Sequence, residues 1–112
     1  MHILVINGST RAKSTNGLFI EAIFLIAGDR ARFTVYPSVA DLPHFNPDLD
    51  VEHAPAAVAD FRKLLHEVDA VLICTPEYAM GVPGSLKNAL DWTVSSADLR
   101  LKPTMLVTAS LS

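Results

Sequence analysis

Short apolar runs alternate along this chain with longer stretches in which apolar and polar residues recur at helical spacing. Continuous apolar runs are typical of strands buried on both faces of a parallel sheet. Two such runs, and a third that is nearly as apolar, predict strands: Ile3–Ile6, Ala70–Cys74 and Thr104–Thr108. A fourth run, Arg32–Tyr36, is more mixed and predicts an edge strand.

Three stretches between these strands carry apolar residues at the helical spacings of three and four, and the second of them is amphipathic. They are Asn16–Ile26, Pro55–Val68 and Ser85–Val94. The resulting order, β-α-β-α-β-α-β, predicts an α/β fold: a doubly wound parallel sheet with helices on both faces and right-handed crossovers. Before the second helix, Pro37–Pro55 is rich in proline and aspartate and predicts a long loop, which in a compact domain often borders a site.

Composition narrows the class of protein. The 112 residues predict one domain over residues 1–112, and a content of 50% hydrophobic and 19% charged residues argues against disorder. The net charge of −3 gives no reason to expect nucleic acid or an anionic membrane as a partner. The single cysteine, Cys74, lies in an apolar run that predicts an inert buried thiol, and it fits a reducing cytoplasm. Neither a signal peptide nor an apolar stretch of about 18 residues is visible, so a membrane span is not expected.

A loop rich in small hydroxyl residues follows the first strand. Gly8 allows a sharp turn, and the residues after it offer hydroxyl, amide and cationic groups: Ser9, Thr10, Arg11, Lys13, Ser14, Thr15 and Asn16. Backbone N–H groups, hydroxyls and a helix start converge in such a loop, which is what a phosphate dianion requires. The same residues equally fit an ordinary Ser/Thr-rich connection with a helix cap.

A degenerate nucleotide-triphosphate loop is the rival interpretation of these residues. The Walker A pattern requires a second glycine before Lys-Ser/Thr, and Ala12 stands there instead. The spacing from Gly8 to Lys13 is also one residue short, and no later strand ends in an acid suited to magnesium. These departures argue against a nucleotide triphosphatase.

A second candidate segment, Thr75–Trp92, follows the third strand. Ligands of open α/β sheets bind outside the carboxyl ends of strands, where the strand order reverses. If the first and third strands are neighbours, both candidate segments meet at one crevice, where Tyr78, Met80 and backbone amides would face a flat ring. Taken singly, these two side chains fit loop packing, and Glu77 fits either a catalytic acid or base or a solvated carboxylate.

Together the two segments carry a family resemblance. Gly-Ser-x-Arg-x-x-Ser-x-Asn over residues 8–16 and Pro-Glu-Tyr-x-x-Gly-x-Pro-Gly-x-Leu-Lys-Asn-Ala-Leu-Asp-Trp over residues 76–92 resemble the NADPH-dependent FMN reductase family. This family has the flavodoxin-like fold and includes quinone, azo-dye and chromate reductases. The resemblance extends over the whole chain and implies the strand order 2-1-3-4, with the family's fifth strand absent from this chain.

The resemblance also implies the residues of an FMN site. One set would hold the FMN phosphate: Ser9, Arg11, Ser14, Thr15 and Asn16. A second set would line the isoalloxazine ring: Pro76, Glu77, Tyr78, Ala79 and Gly81. Ser110 stands at the start of a family loop that completes the ring pocket, and Arg11 is also a candidate contact of the NADPH phosphate. No catalytic side chain and no metal ligand is implied, because FMN carries the chemistry.

The implied function is an FMN-dependent NAD(P)H oxidoreductase that transfers a hydride through bound FMN to a quinone, an azo compound, a free flavin or a metal oxyanion. Family members bind FMN partly across a dimer interface, so a homodimer or homotetramer is implied, with neither nucleic acid nor membrane as partner. A non-catalytic flavodoxin-like module for flavin binding or assembly is the alternative. The family's domain continues after the fourth strand, so we expect this chain to bind FMN more weakly than a longer version.

Overall fold

The computed structural model describes residues 1–8, 15–36, 38–50, 54–76, 84–97, 99–100 and 102–109. Across these residues the chain forms four strands: β1 (His2–Asn7), β2 (Arg32–Val35), β3 (Ala70–Pro76) and β4 (Thr104–Ala109). Neighbouring strands run parallel in the order β2-β1-β3-β4. The predicted α/β fold and its strand order are therefore confirmed.

Three α-helices connect the strands: α1 (Thr15–Ala27), α2 (Ala56–Glu67) and α3 (Gly84–Asp91). α3 ends before the predicted Val94, because both the backbone N–H and the hydroxyl of Thr93 donate to the Leu90 carbonyl, at 3.0 and 2.7 Å. This shorter spacing tightens the chain into turns. In the described part of the chain, no helix has the length and apolar character that crossing a bilayer demands.

Specific groups close the ends of α1 and α2. α1 stops before Gly28, whose φ of +56° lies in the left-handed region that favours glycine. The Arg30 guanidinium then donates to the carbonyl of Ala27 at 3.1 Å. At the end of α2 the ammonium of Lys102 donates to the carbonyl of Leu65. Both cations lie where the last carbonyls of a helix concentrate negative partial charge.

Helices cover both faces of the sheet, and successive side chains of β1 alternate between them because strand side chains point to opposite faces. On the face covered by α2 and α3, called here the α2/α3 face, a large buried cluster comprises Leu4, Ile6, Tyr36, Val39, Leu42, Val58, Phe61, Leu65, Val68, Val71, Ile73, Leu86, Ala89 and Trp92. On the α1 face the buried cluster is smaller and comprises Val5, Ile20, Leu72 and Cys74. The main core therefore lies between the sheet and the two later helices.

The α1 face leaves much apolar surface exposed. Leu25 and Ile26 of α1 are 85% and 73% exposed, and Met105 of β4 is 64% exposed. An apolar pocket of about 390 Å³ opens on this face near the amino ends of the strands. Its lining includes Ile3, Ile23, Phe33, Leu72 and Met105. This pocket lies at the amino ends of the strands, whereas the two candidate loops follow the carboxyl ends of β1 and β3.

The segment between β2 and α2 contains more local structure than the long loop that its composition predicts. Val39–Asp41 and Pro47–Leu49 form single 3₁₀ turns. Ser38 Oγ and Asn46 Oδ1 each accept a hydrogen bond from the backbone N–H two residues later, at 3.2 and 3.0 Å. Short polar side chains that satisfy free N–H groups stabilise such turns, a signal that proline and aspartate content alone does not show.

Candidate functional site

The carboxyl ends of β1 and β3 lie side by side, as the sequence predicts. Asn7 pairs with Cys74 in register, and the N–H of Gly8 donates to the carbonyl of Cys74 at 2.7 Å. Gly8 leads into residues 9–14 and Pro76 leads into residues 77–83, so both candidate loops leave the sheet from the same edge. From β1 the chain continues to the neighbour on one side, β2, and from β3 it continues to the neighbour on the other side, β4. The strand order therefore reverses between β1 and β3, and open α/β sheets bind ligands at such a point.

Close packing explains the glycine at position 8. A Cβ on Gly8 would lie 2.9 Å from Thr75 Oγ1 and 3.0 Å from Leu86 Cδ2. Thr75 and Leu86 are 0% and 1% exposed, so neither has free space to move into. Among the described glycines a positive φ occurs at Gly28 and not at Gly8. The requirement at Gly8 is therefore a close approach of β1 to β3 and α3, rather than the special turn geometry that the sequence suggests.

Most of the predicted FMN contacts lie outside the described residues. The backbone places Thr15 and Asn16 in the first turn of α1, and Pro76 is the last residue of β3. The other predicted contacts lie outside the described residues: Ser9, Arg11, Ser14, Glu77, Tyr78, Ala79, Gly81 and Ser110. The start of α1 and the end of β3 thus frame the predicted crevice, and the individual side-chain contacts stay predictions.

Helix α3, which follows the second candidate loop, is tied to the segment after β2. Asn88 Oδ1 accepts a hydrogen bond from the N–H of Phe45 at 2.6 Å, and Asn88 Nδ2 donates to the Pro43 carbonyl at 2.9 Å. The indole N–H of Trp92 donates to the same carbonyl at 2.8 Å. The Trp92 ring, 0% exposed, meets Phe45 edge-on with centroids 5.0 Å apart. Trp92 thus lies in the core, and its bond to Pro43 ties the end of α3 to the segment after β2.

An ion pair holds the far end of α3. Arg62 of α2 donates to the carbonyl of Trp92 at 3.0 Å and to Asp50 Oδ1 at 2.7 Å. Its guanidinium carbon also lies 5.8 Å from the centroid of the Trp92 ring. Hydrogen bonds from the Ser95 hydroxyl and from Arg62 lower the pKa of Asp50. Since these charges are used in packing, they are not available to bind a ligand.

Cys74 lies beside the candidate crevice and takes no visible part in its chemistry. The residue is 1% exposed, and burial raises the pKa of its thiol, which disfavours the reactive thiolate. The predicted burial of the Cys74 thiol is therefore confirmed. Within the described ranges no three His, Cys, Asp or Glu side chains lie together as a metal site would require.

Comparison with known proteins identifies the family. The model of the family described as NADPH-dependent FMN reductase matches residues 1–112. The chain belongs to the NADPH-dependent FMN reductase family. The match confirms the family that the two loop motifs imply, and the description of that family names NADPH and FMN.

Individual relatives in sequence and structure support the same family assignment. The chain is 35% identical to a quinone reductase of Escherichia coli over 99% of its own length and 61% of the relative's. It is 32% identical to an NADH-dependent flavin reductase subunit 2 of Lactobacillus johnsonii, covering 98% of this chain and 60% of that protein. The structure superposes on FerB, a flavoenzyme NAD(P)H:(acceptor) oxidoreductase from Paracoccus denitrificans, with a TM-score of 0.86 at 33% identity, over 96% of this chain and 59% of that one. The chain thus spans about three fifths of each of these relatives.

Proposed function

We propose that this chain is an FMN-dependent NAD(P)H oxidoreductase that passes a hydride through bound FMN to a small-molecule acceptor. The acceptors considered are a quinone, an azo compound, a free flavin and a metal oxyanion. The observation that supports this most directly is the hydrogen bond of 2.7 Å from the Gly8 N–H to the Cys74 carbonyl. This hydrogen bond joins the ends of β1 and β3, the two strands that lead into the segments with the FMN reductase motifs.

The first loop supplies the phosphate site. Ser9, Ser14 and Thr15 offer hydroxyl donors, Asn16 offers an amide, and Arg11 offers the charge that a phosphate dianion needs. α1 begins at Thr15, so the free N–H groups of its first turn lie at the end of the same loop. On a protein with a net charge of −3 this is a local positive site. Its role is to bind and orient the phosphate, not to react with it.

The second loop supplies the ring site. Pro76, Glu77, Tyr78 and the turn through Gly81 would line the isoalloxazine ring, and Ser110, after β4, would border it. When bound, FMN supplies hydride transfer between the nicotinamide and the acceptor. The chain's own residues hold the ring at the strand ends and keep water from one side of it. Since α3 is anchored through Asn88, the loop that precedes α3 ends at a fixed point.

The proposal extends to assembly and location. A homodimer or homotetramer would complete the ring pocket across an interface, and the cytoplasm would supply NADPH or NADH. The single cysteine is compatible with that reducing compartment. Sedimentation of the purified chain with and without FMN would test the oligomeric state.

The test of function is a visible absorption spectrum. The purified chain is mixed with FMN, desalted and scanned, and we expect a retained flavin band that NADPH bleaches without oxygen and that a quinone then restores. Retained flavin that NADPH does not bleach would favour the alternative, a non-catalytic flavin-binding module. A colourless protein would contradict the proposal for this chain. FMN affinity equal to that of a version extended through the family's fifth strand would contradict the expected weaker binding.

A matched pair of variants locates the phosphate. Arg11→Ala should weaken FMN binding about tenfold or more, because a charged hydrogen bond to a phosphate oxygen is lost. Arg100→Ala is the control, since Arg100 is exposed and lies outside both loops. Equal FMN affinity of the two variants would place the phosphate elsewhere.

A further inference from the structure

A second pocket lies at the amino end of α3, the helix that follows the second loop in sequence. It has a volume of about 360 Å³ and separates the 3₁₀ turn Val39–Asp41 from the amino end of α3. Its lining includes Val39, Leu42, His44, Gly84, Ser85 and Asn88. Gly84 directly follows residues 77–83, so the pocket opens beside the end of the second loop. The volume falls within the roughly 300–1,000 Å³ typical of small-molecule sites.

Two polar side chains in this lining are free to meet a ligand. His44 is exposed and Ser85 is half-buried, and neither side chain hydrogen-bonds to another residue in the described part of the chain. Asn88 lines the same pocket, but its amide oxygen and nitrogen are already bonded to Phe45 and Pro43. His44 and Ser85 are therefore the groups that can donate to a bound molecule.

His44 is held between two anchored neighbours. The carbonyl of Pro43 accepts hydrogen bonds from Asn88 and Trp92, at 2.9 and 2.8 Å. Phe45 donates its N–H to Asn88 at 2.6 Å, and its ring packs edge-on against Trp92. The backbone on both sides of His44 is thus fixed to α3, while the imidazole itself stays unbonded. A donor on a fixed backbone beside a pocket is the arrangement that binding sites use.

The lining also restricts the chemistry of the ligand. Among the described residues that line the pocket, none is Lys, Arg, Asp or Glu. Val39 and Leu42 give it an apolar wall. Among these described residues a metal oxyanion would find no permanently charged cation, whereas a neutral flat ring would find apolar contact and donors for its oxygen atoms.

We propose that this pocket binds the oxygen-bearing edge of a quinone, with His44 and Ser85 donating hydrogen bonds to a ring carbonyl. This inference rests on the proposed function in one respect only, namely that the bound quinone is reduced as the electron acceptor. Binding itself needs the described residues alone. His44 and Ser85 are accordingly specificity residues for the acceptor.

Quinone binding can be measured without flavin, because Trp92 is the chain's single tryptophan and its indole N–H donates to the carbonyl of Pro43, the residue before His44. Titration of the chain with 2-methyl-1,4-naphthoquinone should quench Trp92 fluorescence saturably, after correction with a free tryptophan analogue. His44→Ala should weaken the apparent affinity about three- to tenfold, and Ser85→Ala somewhat less, each by loss of one hydrogen bond. His44→Asn, which keeps a donor, should stay within about twofold of the wild type.

The control is His66→Ala, which removes an exposed histidine from α2 and should leave the affinity unchanged. Absence of saturable quenching, or equal affinity of His44→Ala and His66→Ala, would overturn the inference. A chain that binds the quinone through His44 but retains no FMN would uphold the inference and contradict the proposed function. If the wild-type chain reduces the quinone with NADPH, but His44→Ala changes neither the affinity nor the KM for the quinone, the proposed function is upheld and the inference is contradicted.

Discussion

The aromatic pairs on the two faces of the sheet differ in how deeply they are buried. On the α2/α3 face, Phe61 and Trp92 are 0% exposed, and the rings of Tyr36 and Phe61 lie 4.8 Å apart. On the α1 face, Phe24 and Phe33 also pair at 4.8 Å, yet both remain half-buried. The same aromatic contact thus occurs within a buried cluster on one side and among partly exposed side chains on the other.

The difference separates stability from ligand binding. The α2/α3 face combines the larger buried cluster with the hydrogen bonds of Asn88 and Trp92, so it fixes the helix that follows the second loop. The first loop leads instead into α1, which packs on the smaller cluster. Regions with few buried contacts open at lower free energy. We therefore expect the hydrogen bonds that anchor α3 to stay intact under conditions in which the amide hydrogens of α1 already exchange with solvent.

Truncation of one aromatic side chain on each face should give the largest difference in unfolding free energy between the two faces. Phe61→Ala removes a fully buried ring and should cost about 3–5 kcal/mol of unfolding free energy. Phe33→Ala removes a ring that is already partly in water and should cost about 1–2 kcal/mol. Urea denaturation followed by circular dichroism measures both values. Equal costs would show that the α1 face is as tightly packed as the other.

Addition of a methyl group at two glycines should give an intermediate effect. Gly8→Ala places a Cβ 2.9 Å from Thr75 Oγ1 and should cost about 1–3 kcal/mol, because the core has no room for it. Gly84→Ala is the matched control, since a Cβ there meets nothing within 4 Å, and alanine favours the helix that begins at this residue. Thermal unfolding of the two variants separates the outcomes. Similar melting temperatures would mean that β1 does not approach β3 and α3 as closely as described.

The smallest effect is a pH dependence carried by the Arg62–Asp50 pair. The pKa of Asp50 is lowered below its ordinary value of 3.8, so the folded state favours the carboxylate. The resulting stabilisation is present above the unfolded-state pKa and is lost as pH falls through the lower, folded-state value. Asp50→Asn should flatten the acid side of the stability profile, with Ser95→Ala lying between it and the wild type. Identical slopes from about pH 6 to about pH 2 would contradict this.

The sequence predicts the strands and helices well because each carries its own periodicity. The apolar runs around Leu4 and Val71 are buried on both faces of the sheet, so every position along them is apolar. α1 is harder to interpret, because it is apolar nearly all round. Its pattern predicts a helix but not which side is buried, and Leu25 and Ile26 prove exposed.

Contacts between distant segments could not be predicted from any local pattern. The Pro43 carbonyl, for example, meets side chains more than forty positions away, at Asn88 and Trp92. A weak signal existed, since these two hydrogen-bonding residues are four apart, the spacing that places side chains on one side of a helical turn. The role of Gly8 was likewise invisible, because it depends on which atoms of β3 and α3 lie opposite. The loop motifs were found because their residues are contiguous in the chain.

The central position of β1 affects how the protein is made. β1 pairs with β2 on one side and with β3 on the other. As the chain leaves the ribosome, β1 and β2 emerge early, but the second edge of β1 stays open until Ala70–Pro76 has been synthesised. During that interval an apolar strand is exposed to other nascent chains. A pause in translation between α1 and β3 would lengthen it, so codon choice in that stretch should influence the yield of folded protein.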